Sequence, residues 1–337
     1  MKRALVLILC AAALAVAGVR VATARTTRTA ATTGIVVVNT NLAYENGAAA
    51  GTGMVLTPNG EVLTNNHVIR GATSIRVVVP QTHRSYSARV VGYDVSADVA
   101  VLQLSNASGL ATVTIGDSSR LEGGQSVTAV GNAGGTGSLT VTTGRIVGLH
   151  RGITVSDDQG GTEQLADLVE TDASLQPGDS GGPLLDAAGR VVGMDTAASA
   201  GFYFQGGGGG DGFAIPIDRA VTLVKQIAAG RSSAQVHIGG TALLGVSIQP
   251  SGYYGASGSY HPGLVVENVV QGSPAAKAGI AAGDVITALG GRAVASQNAV
   301  VSLLLQRRPG DRIAVTWIDE ATGSHTATVT LAGGPPQ

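Results

Sequence analysis

Cysteine is nearly absent from this chain, with one residue, Cys10, in 337. A single thiol closes no internal disulfide, so the fold must rest on its core. Metal-binding patterns are missing too. There are no cysteine pairs, no His-x-x-x-His and no acidic calcium loop. Neither a metal nor another cofactor is expected. Lysine is confined to Lys2, Lys225 and Lys277, and the formal net charge is −1. Without a basic stripe, nucleic acid and anionic membrane surfaces are not expected partners.

Long apolar runs are scarce, and the clear one lies at the start. Lys2 and Arg3 precede an apolar stretch over residues 4–19, and Ala22-Thr23-Ala24 comes after it. A basic flank, an apolar run and a small-x-small site predict a signal peptide over residues 1–24. The run is short for a membrane span, and Arg20 breaks it off; an uncleaved anchor is the alternative. Cys10 lies inside the run after Leu9, which is not the small residue a lipobox needs. The mature chain is expected to be secreted or in the cell envelope, without a thiol and without stable membrane association.

Glycine, by contrast, is plentiful. The 50 glycines are roughly twice the usual share. With many Val and Thr residues, this favours short strands joined by glycine turns, a mostly β protein. Residues 25–33, rich in Thr, Ala and Arg, read as a flexible arm. Strand-like segments lie at 35–39, 53–56, 61–64, 74–79, 87–92 and 99–104. A second group lies at 126–131, 144–150, 168–171, 183–185, 191–196 and 212–215. The glycine run 206–210 is expected to be a loop; no Gly-Lys-Ser/Thr or helix comes after it to suit a phosphate. Ile217, Ala220, Val221, Val224 and Ile227 recur at helical spacing, between Pro216 and Gly230. Residues 231–241 read as linker.

Three segments carry chemistry. Residues 176–183, Gln-Pro-Gly-Asp-Ser-Gly-Gly-Pro, put Ser180 among glycines. A serine hydroxyl is a poor nucleophile and needs a base and oxyanion donors. The glycines let the N–H groups of Gly178 and Ser180 turn toward one point. Alone, this stretch is equally a plain turn. Val62-Leu63-Thr64-Asn65-Asn66-His67 ends a strand in a histidine, and Asp98 opens the apolar strand that begins at Val99. A buried Asp can fix the tautomer of an imidazole and stabilise its charged form. Asp94 is the rival acid but lacks an apolar strand directly after it. His83, His150, His237, His261 and His325 lie near no nucleophile-like motif and read as structural or surface residues.

With these motifs in the order His67, Asp98, Ser180, the chain resembles the HtrA (Deg) family of chymotrypsin-fold serine proteases. Gly51-Thr52-Gly53-Met54, Thr171-Asp172-Ala173, Val192-Gly193-Met194-Asp195-Thr196 and Gly212-Phe213-Ala214-Ile215-Pro216 add to the likeness. It is most similar to secreted actinobacterial members with one protease and one PDZ domain. The resemblance implies a trypsin-like double β-barrel over residues 34–230 and a PDZ domain over 242–333. It implies an ATP-independent endopeptidase acting on unfolded or exposed polypeptide, with catalytic His67, Asp98 and Ser180 and an oxyanion hole from Gly178 and Ser180. A peptide-binding, chaperone-like protein with an idle protease domain is the alternative. The family often forms trimers, so a homo-oligomer is among the expectations.

Two finer expectations depend on this resemblance. In the fold, the floor of the specificity pocket lies six residues before the nucleophile, here at Ser174. Its walls are expected around Thr196, Ala197 and Phe213, with Asp195 and Asp211 nearby in sequence. Without an acid at the floor, cleavage after small apolar residues is expected. In the PDZ-like part, Leu244, Gly245 and Val246 match the carboxylate-binding loop, and Val246 opens a strand that can pair with a C-terminal peptide. Val300, Leu303 and Leu304 share one face of the helix after Ser296, with Leu304 expected in the core and Val300 shared between core and groove. One residue departs from the family pattern: Asp179 stands where Asn is usual. It is expected to accept local hydrogen bonds rather than a newly cut N-terminus at Ile35.

Overall fold

The computed structural model describes residues 31–44, 47–156, 162–196, 212–254, 260–319, 321 and 323–337. The expected signal peptide, most of the expected arm and the glycine run at 206–210 lie outside the described residues.

Six antiparallel strands build the first barrel. They are β1 (Ile35–Leu42), β2 (Gly47–Val55), β3 (Glu61–Thr64), β4 (Ser74–Val79), β5 (Arg84–Asp94) and β6 (Val99–Leu104). Their order is β5-β4-β1-β2-β3-β6, and β5 also pairs with β6, which closes the sheet. A one-turn helix, α1 (Asn66–Ile69), comes after β3. The alternation of strand side chains sorts β1 between two cores. Val36 and Val38 pack with Val55, Val62, Val77 and Leu102. Ile35, from the other face, joins a cluster that spans both barrels.

The second barrel repeats the plan. It is made of β7 (Ser126–Gly131), β8 (Thr140–Ser156), β9 (Thr162–Thr171), β10 (Pro183–Leu185), β11 (Val191–Asp195) and β12 (Gly212–Pro216), closed in the order β10-β11-β12-β9-β8-β7. β8 and β9 run longer than their apolar segments suggested. Three register irregularities let β8 bend, and His150 sits in one of them at φ 56°. Between the barrels, Met54 and Leu63 meet Val130, Leu168, Met194 and Ile215.

Helix α2 (Ile217–Ala228) buries Ile217, Ala220, Val224 and Ile227, the face its spacing marks out. These four join the cluster between the barrels. Residues 231–241 differ from a loose linker. Within them β13 (Val236–Ile238) pairs with β5, and Val236 is buried against α2. An apolar residue every second position was too short a signal to stand out.

The C-terminal unit has its own core. Its elements are β14 (Thr241–Leu243), β15 (Val246–Tyr254), β16 (Tyr260–Val269), α3 (Pro274–Ala278), β17 (Val285–Leu289), β18 (Arg292–Ala293), α4 (Gln297–Leu305), β19 (Arg312–Ile318), β20 (Ser324–Thr330) and β21 (Ala332–Gly334). The main sheet runs β15-β16-β17-β19-β20, and β14 pairs with β21. In β19, Ile313, Val315 and Trp317 alternate inward. Val300 and Leu304 of α4 both pack into this core. Ser296 caps α4 by accepting a hydrogen bond from Ala299 N, as Ser273 caps α3 through Ala276 N.

Candidate active site

β3 ends in a turn that hands the chain to α1, and α1 presents His67. Asp98 comes from the turn between β5 and β6. Asp94 stabilises that turn: its Oδ1 accepts from Ser96 Oγ at 2.7 Å and from Ala97 N at 3.0 Å. The rival acid thus shapes the loop and does not meet the histidine. Asp98 itself adopts φ 53°, a left-handed conformation that Asp tolerates better than most residues. Its Oδ1 accepts from His67 N at 3.0 Å, and its Oδ2 lies 2.9 Å from His67 Nδ1. Thr196 Oγ1 donates to the same Oδ2 at 3.1 Å, and Asn65 Nδ2 donates to the Asp98 carbonyl at 2.9 Å. The carboxylate is 2% exposed, and a buried charge needs such partners. With Nδ1–H given to Asp98, Nε2 is the basic nitrogen of the ring.

Ser180 lies in the loop between β9 and β10. Asp179 N donates to Gln176 O at 3.0 Å, and Gly182 N to Asp179 O at 2.9 Å, which folds the loop into two tight turns. Gly178 takes φ 98°, and a Cβ there would lie 2.2 Å from Asn132 O, so only glycine fits. Across from this loop stands Thr52 of β2, fully buried. Its N–H donates to Ser180 O at 2.8 Å. Its hydroxyl donates to Gly178 O at 2.7 Å and accepts from Asn132 N at 2.9 Å. Its carbonyl accepts from Thr64 Oγ1 at 2.7 Å. One residue of the first barrel therefore fixes the nucleophile loop of the second. Thr52 belongs to a family-like motif, but nothing in the sequence marked it as a clamp.

Beneath the loop are two buried acids. Asp179 Oδ2 accepts from Gln176 N at 2.9 Å, a local bond of the kind expected. Ile35 is buried in β1, and its N–H is directed to Thr32 O at 3.3 Å. Asp195, at the end of β11, is fully buried. Its backbone holds the loop: Gly181 N donates to Asp195 O, and Asp195 N to Gly182 O, each at 2.8 Å. Both of its carboxyl oxygens, and Asp179 Oδ1, have no hydrogen-bond partner among the described residues. Burial, then the neighbouring Asp179 charge, pushes the Asp195 carboxyl well above the usual carboxylate range. Burial also raises Asp179. The motif Val192–Thr196 was legible, but that its acid would lie beside Asp179 was not.

The expected pocket residues divide. Ser174 is exposed, and Phe213 is buried on β12 with its carbonyl accepting from Thr196 N at 2.9 Å. Thr196 is buried and turns its hydroxyl to Asp98, so it supports the acid as well as flanking Phe213. Ala197 and Asp211 lie outside the described residues. In the C-terminal unit, Gly245 takes φ 86° and its carbonyl accepts from Val270 N at 2.9 Å. Leu244 is buried in the core beneath it, and Val246 opens β15, the edge strand of the sheet. Gln297 Nε2 of α4 donates to Ile248 O on that edge.

A trypsin-like peptidase domain matches residues 51–194, and a PDZ domain matches residues 242–329. Fold and site thus define a double-barrel peptidase unit joined to a PDZ unit. In sequence and in domain order the chain is similar to serine proteases of the HtrA type. Serine protease PepD of Mycobacterium tuberculosis is 32% identical over 310 residues, covering 88% of this chain and 63% of that protein. A probable periplasmic serine endoprotease, DegP-like, of Chlamydia trachomatis is 36% identical over 278 residues, covering 81% of this chain and 52% of that protein. The chain spans between about half and two thirds of the length of the curated relatives it matches. Among solved structures, the HtrA-type protease AlgW with tripeptide aligns at 28% identity and a TM-score of 0.49, covering 90% of this chain and 95% of that chain.

Thr52→Val keeps the shape and the N–H of Thr52 but removes its hydroxyl, leaving Gly178 O and Asn132 N without that partner. The variant is expected to lose about 1–3 kcal/mol of stability. Its kcat should fall by roughly tenfold or more, because the loop shifts relative to His67. Denaturant unfolding and steady-state kinetics on one peptide measure both; unchanged kcat would show that the clamp does not set the geometry.

Asp195 gives a pH dependence of definite sign. Its raised pKa means that the folded state binds the proton more tightly than the unfolded state. Its stability is therefore intact below the ordinary value of 3.8 and is lost as pH rises toward the folded value. Asp195→Asn removes the titration and keeps the shape. Between pH 4 and 8 the parent should lose stability relative to this variant, at up to about 1.4 kcal/mol per pH unit. A difference that stays flat across that range would mean the carboxyl is ordinary.

Proposed function

We propose that this protein is a serine endopeptidase that cleaves exposed, extended segments of unfolded polypeptide outside the cytoplasm. The strongest support is the 2.9 Å contact between His67 and Asp98 in the cleft where the second barrel presents the Ser180 loop. In the proposed mechanism His67 Nε2 takes the Ser180 hydroxyl proton as Oγ attacks the scissile carbonyl carbon. The carbonyl electron pair moves onto oxygen, and the N–H groups of Gly178 and Ser180 hold the anion. His67 then gives the proton to the leaving amine as the C–N bond breaks. Water repeats the sequence on the acyl ester and restores Ser180. Asp98 holds the imidazole in place. The PDZ unit takes C-terminal peptides with apolar last residues, through the loop of Leu244, Gly245 and Val246 and the edge of β15. An extracytoplasmic location agrees with periplasmic relatives and with the signal-like residues 1–24.

Ser180→Ala should lower turnover by roughly 10⁴–10⁶-fold and leave the fold intact. A fluorophosphonate should label the parent at Ser180 and not the variant. Hydrolysis that persists in Ser180→Ala, or a parent that takes no label, would return the protein to the peptide-binding alternative.

Ser174 supplies no charge to the pocket floor, and Phe213 narrows its wall. Cleavage is expected after small or medium apolar residues such as Val, Ala or Leu. Selectivity should be loose, since a methylene in such a pocket is worth about 1–3 kcal/mol. A positional peptide library reads this directly, and dominant cleavage after Arg or Lys would contradict it.

A further inference from the structure

Residues 335–337 extend beyond β21 and return to the first barrel. The Pro336 carbonyl accepts from Gly71 N at 2.8 Å. The Gln337 carbonyl accepts from Asn66 Nδ2 at 3.0 Å. Gln337 N donates to Tyr93 OH at 3.3 Å. All three partners flank the catalytic histidine or support its barrel. Asn66 opens α1 and is the neighbour of His67; Gly71 lies just after the helix; Tyr93 is fully buried in β5. Pro336 is buried and Asn66 is 2% exposed, so the bonds are partly shielded from water.

The helix they hold is weak by itself. α1 has one turn, and the Asn65 side chain makes no capping bond to it. A single turn is not stable without tertiary support. Asp98 provides one support, through Oδ1 and His67 N. Asn66 Nδ2 has its partner in Gln337, and losing it leaves a buried donor unsatisfied. The same strap is continuous with the C-terminal unit through β21 and β14, and Tyr93 OH also lies 3.0 Å from Thr241 Oγ1 of β14. Leu305, at the end of α4, packs on the first-barrel core, and its carbonyl lies 3.1 Å from His237 Nδ1 of β13.

We infer that residues 335–337 are a positioning strap for the catalytic base, tying the orientation of His67 to the C-terminal unit through Asn66 and Gly71. The strap acts through α1 and touches no substrate. It rests on the serine peptidase function proposed above.

The test compares the intact chain with three variants: a chain ending at Gly334, a chain with two glycines inserted between Gly334 and Pro335, and Asn66→Ala. A short unstructured peptide is the substrate, so binding at the PDZ unit does not enter. Each variant should lower kcat, the first two by about tenfold, with KM within about twofold of the parent. The pH profile of kcat should differ from that of the parent, because the orientation of the base has changed. Asn66→Ala added to the shortened chain should cost no more than about twofold further, since both changes break one contact. If the shortened chain does not melt cooperatively, the glycine insertion decides. Unchanged kcat and pH profile, or effects that multiply, would overturn the strap. Fluorophosphonate labelling separates the two questions. An intact chain that labels while the variants match it defeats the strap alone; one that fails to label defeats the peptidase function as well.

Discussion

The structure depends on the junction at Thr52. His67 and Asp98 lie on one barrel and Ser180 on the other, so the proposed site exists only if the barrels keep one relative placement. Apolar contact between Met54, Leu63, Met194 and Ile215 brings the barrels together but is not directional. Hydrogen bonds supply the direction. Thr52, itself fully buried, offers its N–H to Ser180, its hydroxyl to Gly178 and Asn132, and its carbonyl to Thr64. Every polar atom of one side chain and its peptide group is used, and each would be expensive to leave unpaired.

The Ser180 loop is hydrogen-bonded to Thr52 on one side and lies over two buried acids on the other. Asp179 and Asp195 are buried together, with three carboxyl oxygens unpartnered among the described residues. Two neighbouring carboxylates cannot both ionise cheaply in such a place, so the pair favours bound protons. The backbone of Asp195 is bonded to Gly181 and Gly182. Local stability is thereby linked to proton uptake at Asp195.

Each unit has its own core, and apart from Leu305, which packs on the first-barrel core, the links between them named above are hydrogen bonds. They gather on one region of the first barrel: Asn66, Gly71 and Tyr93, with His237 alongside. That region also carries α1. The proposed coupling of the C-terminal unit to His67 rests on these contacts.

Much was legible in the sequence. Period-two apolar segments placed the twelve barrel strands, because each strand buries one face and the alternation records it; in the C-terminal unit only the strand from Val246 was read. The helical spacing of Ile217, Ala220, Val224 and Ile227 placed α2, and glycines at 178 and 181 marked turns that only glycine fits. The residues of the His67, Asp98 and Ser180 motifs were legible because their chemistry restricts residue type. Partnerships between residues far apart in the chain were beyond the reach of the sequence. Thr196 read as a pocket wall, and only the meeting of the barrels turned its hydroxyl to Asp98, 98 positions away. Residues 231–241 read as linker because β13 gains its strand pairing from β5. The same holds for Thr52 with Gly178, Asp195 with Asp179 and Asn66 with Gln337. Local pattern reflects which face of a segment is dry. Which polar group a buried atom finds is decided when distant segments pack, because a hydrogen bond depends on distance and angle in space and leaves no periodic trace along the chain.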